Sequence, residues 1–187
     1  MNLSTIFQSP AIRPPPPAIP TRAPVARQPS SNPAGSRAVD SFTPARSATG
    51  TRELAQRLNP AGNPKYLPHG GNTYCNVYSQ DFMRARGVTL PQKTANDTSA
   101  WLHSKAGAAA GWRQVSGAEA QRVVNSGGNG LVTNTHNPHG HIAPIVEGTL
   151  TNGAPTISNA GSANFNIGPS TRSPAFQRPN TEYWVHN

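Results

Sequence analysis

GNTYCNVYSQDFMRARG, residues 71–87, holds the only cysteine of a 187-residue chain. Its apolar residues Tyr78, Phe82 and Ala85 recur at i, i+4 and i+7, the spacing of one helix face. Arg84 and Arg86 occupy the last turn and Gly87 follows, the expected C-terminal punctuation. Cys75 therefore falls in the first turn. A thiol there is either a buried small hydrophobe or a nucleophile. A helix N-terminus favours the second reading, because it lowers the thiol pKa and makes thiolate available.

A nucleophilic cysteine needs a base, which must be near in space but not in sequence. Three of the six histidines, His136, His139 and His141, surround one turn-forming tetrapeptide, Asn137-Pro138-His139-Gly140. GLVTNTH (130–136) and HIAPIVEG (141–148) flank it as β-type runs. His141 opens an apolar strand, where packing holds a ring best, and Gly140 leaves room for a thiol or substrate to approach. His141 therefore ranks well ahead of His139, at the turn tip, and His136, at the end of a polar strand. A metal site built on the three histidines lacks a nearby carboxylate.

The other segments read as follows. TRELAQRLNPAG (51–62) is a short amphipathic helix stopped by Pro60 and Gly62. TANDTSAWLHSKAG is a second helix, with Asn96 or Asp97 available to cap it. In SGAEAQRVVNSGG, Ser116 and Glu119 make a capping box, Val123 and Val124 face inward, and Gly127 ends the helix. APTISNAG (154–161) and TEYWVHN (181–187) add strands to a small antiparallel sheet. Helices first and strands afterwards define an α+β domain.

Composition divides the chain. Ten of its 20 prolines lie in residues 1–50, with Asp40 the single acidic residue there. Such a segment cannot bury enough apolar area to offset chain entropy, so residues 1–50 are expected to be a disordered Pro/Ser/Arg-rich arm and residues 51–187 the folded domain. The arm reads as a linker or tail, or as an export address. Of the net charge of +9, residues 1–52 carry +5 (six Arg against Asp40), which leaves +4 for the remainder. This bias suits anionic partners, but no Lys/Arg-dense block marks a nucleic-acid site. One cysteine excludes an internal disulfide and a cysteine-based zinc cage. No apolar run of about 18 residues predicts a membrane span, and the N-terminus lacks the pattern of a Sec signal peptide.

The cysteine helix, the helical stretch after it, the Gly-His strand and the polar strand beyond it together resemble the NlpC/P60 and CHAP cysteine hydrolases. NTYCNVYSQDFMRARGVTLP looks like the nucleophile helix of these domains, HNPHGHIAPIVEG like their histidine strand, and ISNAGSANFNIG like the strand with the orienting residue. The likeness covers roughly residues 60–187. It implies a papain-like fold with N-terminal helices followed by a small antiparallel sheet. It also implies Cys75 as nucleophile, His141 as general base and Asn159 as orienting residue, with Glu147 or Asn164 as competitors for the third role. His141 Nε2 is expected to face Cys75, with Nδ1–H held by the third residue. Tyr74 and Asn76 fall at the oxyanion site or substrate cleft.

The implied activity is cysteine-dependent hydrolysis of an amide in peptidoglycan, with no metal or organic cofactor, by a monomer that neither enters a membrane nor binds nucleic acid. Delivery would be by a non-Sec route or into a target cell, or the protein would stay cytoplasmic if phage-like. Two alternatives stand beside it. One is a translocated effector protease acting on a host protein, favoured by the arm. The other is a non-enzymatic binding module with a buried Cys75 and a basic arm.

Overall fold

A computed structural model describes residues 50–187. The expectations for residues 1–49, disorder and an export address among them, lie outside the described residues. From Thr51 the chain forms α1 (Thr51–Leu58), α2 (Cys75–Ala85), α3 (Ala95–Leu102), α4 (Lys105–Ala109), β1 (Arg113–Val115), α5 (Gly117–Asn125), β2 (Asn129–Asn134), β3 (His141–Ile145), β4 (Thr156–Asn159), β5 (Phe165–Pro169) and β6 (Thr181–His186). Two short 3-10 turns, Ser170–Arg172 and Pro174–Gln177, link β5 to β6. The domain is α+β, with a six-stranded antiparallel sheet in the order β1-β6-β2-β3-β4-β5.

Both faces of the sheet are covered, which is why β2, β3 and β4 are buried at every position. Successive side chains of a strand point to opposite faces, and the core divides accordingly. Leu131, Ile142 and Trp184 pack with Leu54 of α1, Tyr78, Phe82 and Met83 of α2, and Leu102 of α3. Their neighbours Val132, Ala143 and Val185 pack with Ala120, Val123 and Val124 of α5. The α2 helix thus lies on one face and α5 on the other.

Helix starts differ from the sequence expectation in two places. Thr94, not Asn96 or Asp97, caps α3: its Oγ1 accepts the Asp97 N–H at 3.2 Å. A helix of this sequence also breaks at Ser104, whose Oγ accepts the Gly107 N–H at 3.3 Å and starts α4. The capping box of α5 is half made. Ser116 Oγ accepts the Glu119 N–H at 3.2 Å, but the Glu119 carboxylate turns outward to Arg122 (2.7 Å) and Arg113 (3.3 Å). Two guanidinium groups outcompete one backbone N–H for a carboxylate.

Strand β1 separates α4 from α5, so the order is not strictly helices before strands. Three residues carry too little pattern to be read as a strand. Strand β5, FNIGP, was likewise hidden by Gly168 and Pro169, which signal a turn. No helix among the described residues is long and apolar enough to cross a membrane.

Candidate active site

Cys75 is the first residue of α2. The helix has no side-chain cap and no acidic residue in its first turn, so no side-chain charge offsets the positive field of its N-terminus. The α2 helix lies against β3, and the backbone N–H groups of Ile142, the residue after His141, of Asn76 and of Cys75 itself are near enough to the thiol to work against a raised pKa. That contact sets the nucleophile beside the start of the histidine strand. Cys75 is 5% exposed and His141 8%, so both side chains are almost closed to solvent.

His141 Nε2 lies 2.8 Å from Asn159 Oδ1. The direction of the Asn159 amide is fixed by a second bond, because its Nδ2 donates to the Ala163 carbonyl at 2.7 Å. The oxygen is therefore the atom turned to the ring, and the ring must carry its proton on Nε2. Nδ1 is left as the nitrogen with the free lone pair. This reverses the expected assignment of the two ring nitrogens while keeping Asn159 as the partner. Asn159 and His141 are reached from neighbouring strands, paired at Ile145 and Ile157.

The ring is held from two more directions. Phe176, in the second 3-10 turn, packs on it with centroids 4.8 Å apart and planes at 37°. Gly161 lies against its edge, where a Cβ would come 2.7 Å from Cε1. Neither residue was visible in the sequence as part of a site. Both lie in irregular segments, and only the fold brings them to His141.

Burial decides the ionisation of the pair. It pushes the Cys75 thiol up, and the three backbone N–H donors offset this only in part. The helix N-terminus therefore does not leave a resting thiolate, contrary to the sequence expectation. Burial also lowers His141, the hydrogen bond it donates to Asn159 Oδ1 opposes this, and His136 lowers it further. Both shifts favour the neutral pair, thiol and imidazole.

The competitors for the third role serve elsewhere. Asn164 Oδ1 accepts the Gly161 N–H at 2.7 Å, and its Nδ2 donates to the Pro60 and Tyr66 carbonyls at 2.8 and 2.9 Å. Glu147 sits at the start of α1, where its N–H donates to Thr51 Oγ1 at 2.8 Å. Asn76 Nδ2 donates to the Lys93 carbonyl at 2.9 Å, so its side chain ties down the loop before α3. Tyr74 is the half-buried residue preceding α2, and its carbonyl accepts the Tyr78 N–H.

Gly140 does not open a path to the thiol. The space that a Cβ would fill is taken by Asn96 Oδ1, whose Nδ2 donates to the His136 carbonyl at 3.2 Å. His136 Nδ1 lies 3.2 Å from Asn134 Oδ1, and His139 is exposed at the hairpin tip. Among the described residues, no cluster of three or more His, Cys, Asp or Glu is placed to hold a metal ion. A cavity of 390 Å³ at the C-terminal end of α5, lined by Arg113, Arg122 and Ser126 among others, contains none of the site residues.

No family model matches the chain, and no curated protein matches it.

Proposed function

We propose that the protein is a cysteine-dependent amide hydrolase, with Cys75 as nucleophile, His141 as general base and acid, and Asn159 as orienting residue. The observation that carries this reading is the Asn159–His141 bond at 2.8 Å, its direction imposed by Ala163. A general base must keep one ring nitrogen free as an acceptor, and the bond to Asn159 at Nε2 leaves Nδ1 in that state. The nucleophile helix packed on an antiparallel sheet also accords with a papain-like fold of the NlpC/P60 and CHAP type, which the sequence resembles.

In this mechanism the Cys75 proton passes to His141 Nδ1 as the sulfur attacks an amide carbonyl. The tetrahedral oxygen accepts hydrogen bonds from backbone N–H groups at the start of α2. His141 then returns the proton to the leaving amine, and the C–N bond breaks to give a thioester. Water, deprotonated by the same imidazole, releases the acid and restores the thiol. Asn159 stabilises the imidazolium less than a carboxylate would, since it adds no charge.

The substrate that fits best is a peptide amide of peptidoglycan, for which the +4 charge beyond residue 52 and the resemblance both speak. Mass spectrometry of soluble fragments from purified peptidoglycan tests this. Fragments with new amine and carboxyl ends, absent with Cys75→Ala, are expected. A second reading, a translocated protease acting on a host protein, is favoured by the composition of residues 1–50. No fragments from peptidoglycan, together with Cys75-dependent cleavage of proteins in a host-cell extract, would decide for it.

A further inference from the structure

Tyr78 and Ser79 follow Cys75 by one helical turn, and each bonds to a residue adjacent in sequence to another member of the site. The Tyr78 hydroxyl lies 2.5 Å from Ser158 Oγ, both side chains wholly buried, and Ser158 precedes Asn159 in β4. Ser79 Oγ donates to the Ile142 carbonyl at 3.4 Å, and Ile142 follows His141 in β3. Alternation along β4 explains the placement: Asn159 turns toward His141 while Ser158 turns to α2. At 3.4 Å the Ser79 bond is weak, so Tyr78 makes the firmer tie.

The rest of this part of α2 is apolar. The Tyr78 ring meets Tyr66 edge-on at 5.0 Å and Phe82 at 6.1 Å. Apolar burial is non-directional, so it resists separation of the helix from the sheet more than small slides along it. A buried hydrogen bond is directional and is lost over less than about 1 Å. Tyr78 also faces a competing cost, because a phenol buried without a partner is unfavourable. An apolar Phe would pack there more simply.

We propose that Tyr78 and Ser158 are positioning residues, whose hydrogen bond fixes the helix carrying Cys75 against the strand carrying Asn159, the placement on which any approach of the thiol to the imidazole depends. The inference rests on the hydrolase reading. Neither side chain meets the substrate. Through this bond, α2 is tied to the strand that carries Asn159.

The test compares Tyr78→Phe, Ser158→Ala and the double variant in full-length protein digesting purified peptidoglycan. Tyr78→Phe leaves the serine hydroxyl unpaired and lowers the melting temperature. The double variant removes both polar groups and recovers most of that loss. Alignment does not recover: kcat stays down by ~10–100-fold in the double variant with KM unchanged, the loss expected of a misplacement near 1 Å. A second readout is alkylation of Cys75 by iodoacetamide at fixed pH. In Tyr78→Phe the rate is expected to fall toward that of His141→Ala.

A double variant with wild-type stability and kcat within about twofold of wild type would overturn the inference, as would a change confined to KM. If the double variant does not fold, alkylation of Tyr78→Phe at the wild-type rate overturns it instead. The parent reading fails differently: wild-type protein releases no fragments, and its alkylation is indifferent to His141→Ala. Both then fall together, whereas an active wild type with an unaltered Tyr78→Phe rate removes this inference alone.

Discussion

Gly161 grips the edge of the His141 ring, so closely that a Cβ would sit 2.7 Å from Cε1, while Phe176 covers the ring with centroids 4.8 Å apart. Gly161→Ala should push the imidazole off the Asn159 bond. Overpacking of this kind costs about 1–3 kcal/mol, and a base displaced by about 1 Å loses ~100-fold in rate. A thermal melt and kcat on peptidoglycan check this. Wild-type kcat in a folded Gly161→Ala protein would show that the ring has slack.

Under the proposed mechanism, losses at Cys75, His141 and Asn159 should be graded. Cys75→Ala is expected to abolish turnover and His141→Ala nearly so. Asn159→Ala should retain a residual rate, ~10–100-fold below wild type, the loss typical of an orienting partner. Asn159→Asp keeps an acceptor for Nε2–H but loses the donor to the Ala163 carbonyl. Its carboxylate also favours the imidazolium, so the acid limb of the pH–rate profile should move to higher pH. Asn164→Ala should lower the melting temperature through three lost hydrogen bonds and leave the pH profile in place. If Glu147→Ala cripples turnover while Asn159→Ala does not, the third role belongs to Glu147.

Wild-type activity should follow a broad bell. The productive pair holds one proton between Cys75 and His141, and burial spreads the two titrations apart. The acid limb is expected below the ordinary imidazole value of 6.5 and the alkaline limb above the ordinary thiol value of 9.0. Stability carries the same signs. His141 is lowered on folding, so its contribution is lost as pH falls below 6.5, where the unfolded chain takes up a proton first. Cys75 is raised, so its contribution is lost as pH rises past 9.0, where the unfolded thiol ionises first. Melting curves of wild type and Cys75→Ala across pH separate the alkaline part: their difference should narrow at high pH.

A chain beginning at Gly50 should keep fold and turnover, while one beginning at Thr51 should melt lower. The Gly50 carbonyl accepts the Leu54 N–H at 2.9 Å in the first turn of α1. Thr51 itself is buried, with its Oγ1 on the Glu147 N–H at 2.8 Å. Comparing melts and peptidoglycan digestion for the two truncations tests the boundary. Loss of folding in the longer one would make residues 1–49 part of the core.

The site was legible where periodicity carried it. Tyr78 and Phe82 marked the buried face of α2 and so put Cys75 in its first turn, and the apolar run after His141 marked β3. Asn159 came only from the family resemblance, with Glu147 and Asn164 as competitors. What escaped was set by contacts between distant segments. Phe176 and Gly161 have no repeat to announce them. The choice of ring nitrogen depends on how far β4 slides past β3, which a sequence pattern does not record. The thiol pKa was misjudged for a related reason: a helix start is visible in sequence, but the burial that outweighs it is not. Thr94 was passed over as a cap because Asn96 and Asp97 suit that role equally well.

Strand β6 lies between β1 and β2, although it follows every site residue in the chain. A growing polypeptide thus makes Cys75, His141 and Asn159 well before Thr181–His186 are joined to it. Until then β2 has a bare edge on the side away from β3, and β1 has no neighbour to pair with. An open edge invites pairing with other chains. In order of synthesis, the chain acquires Cys75, His141 and Asn159 first and the strand that joins β1 to β2 afterwards, which delays completion of the sheet.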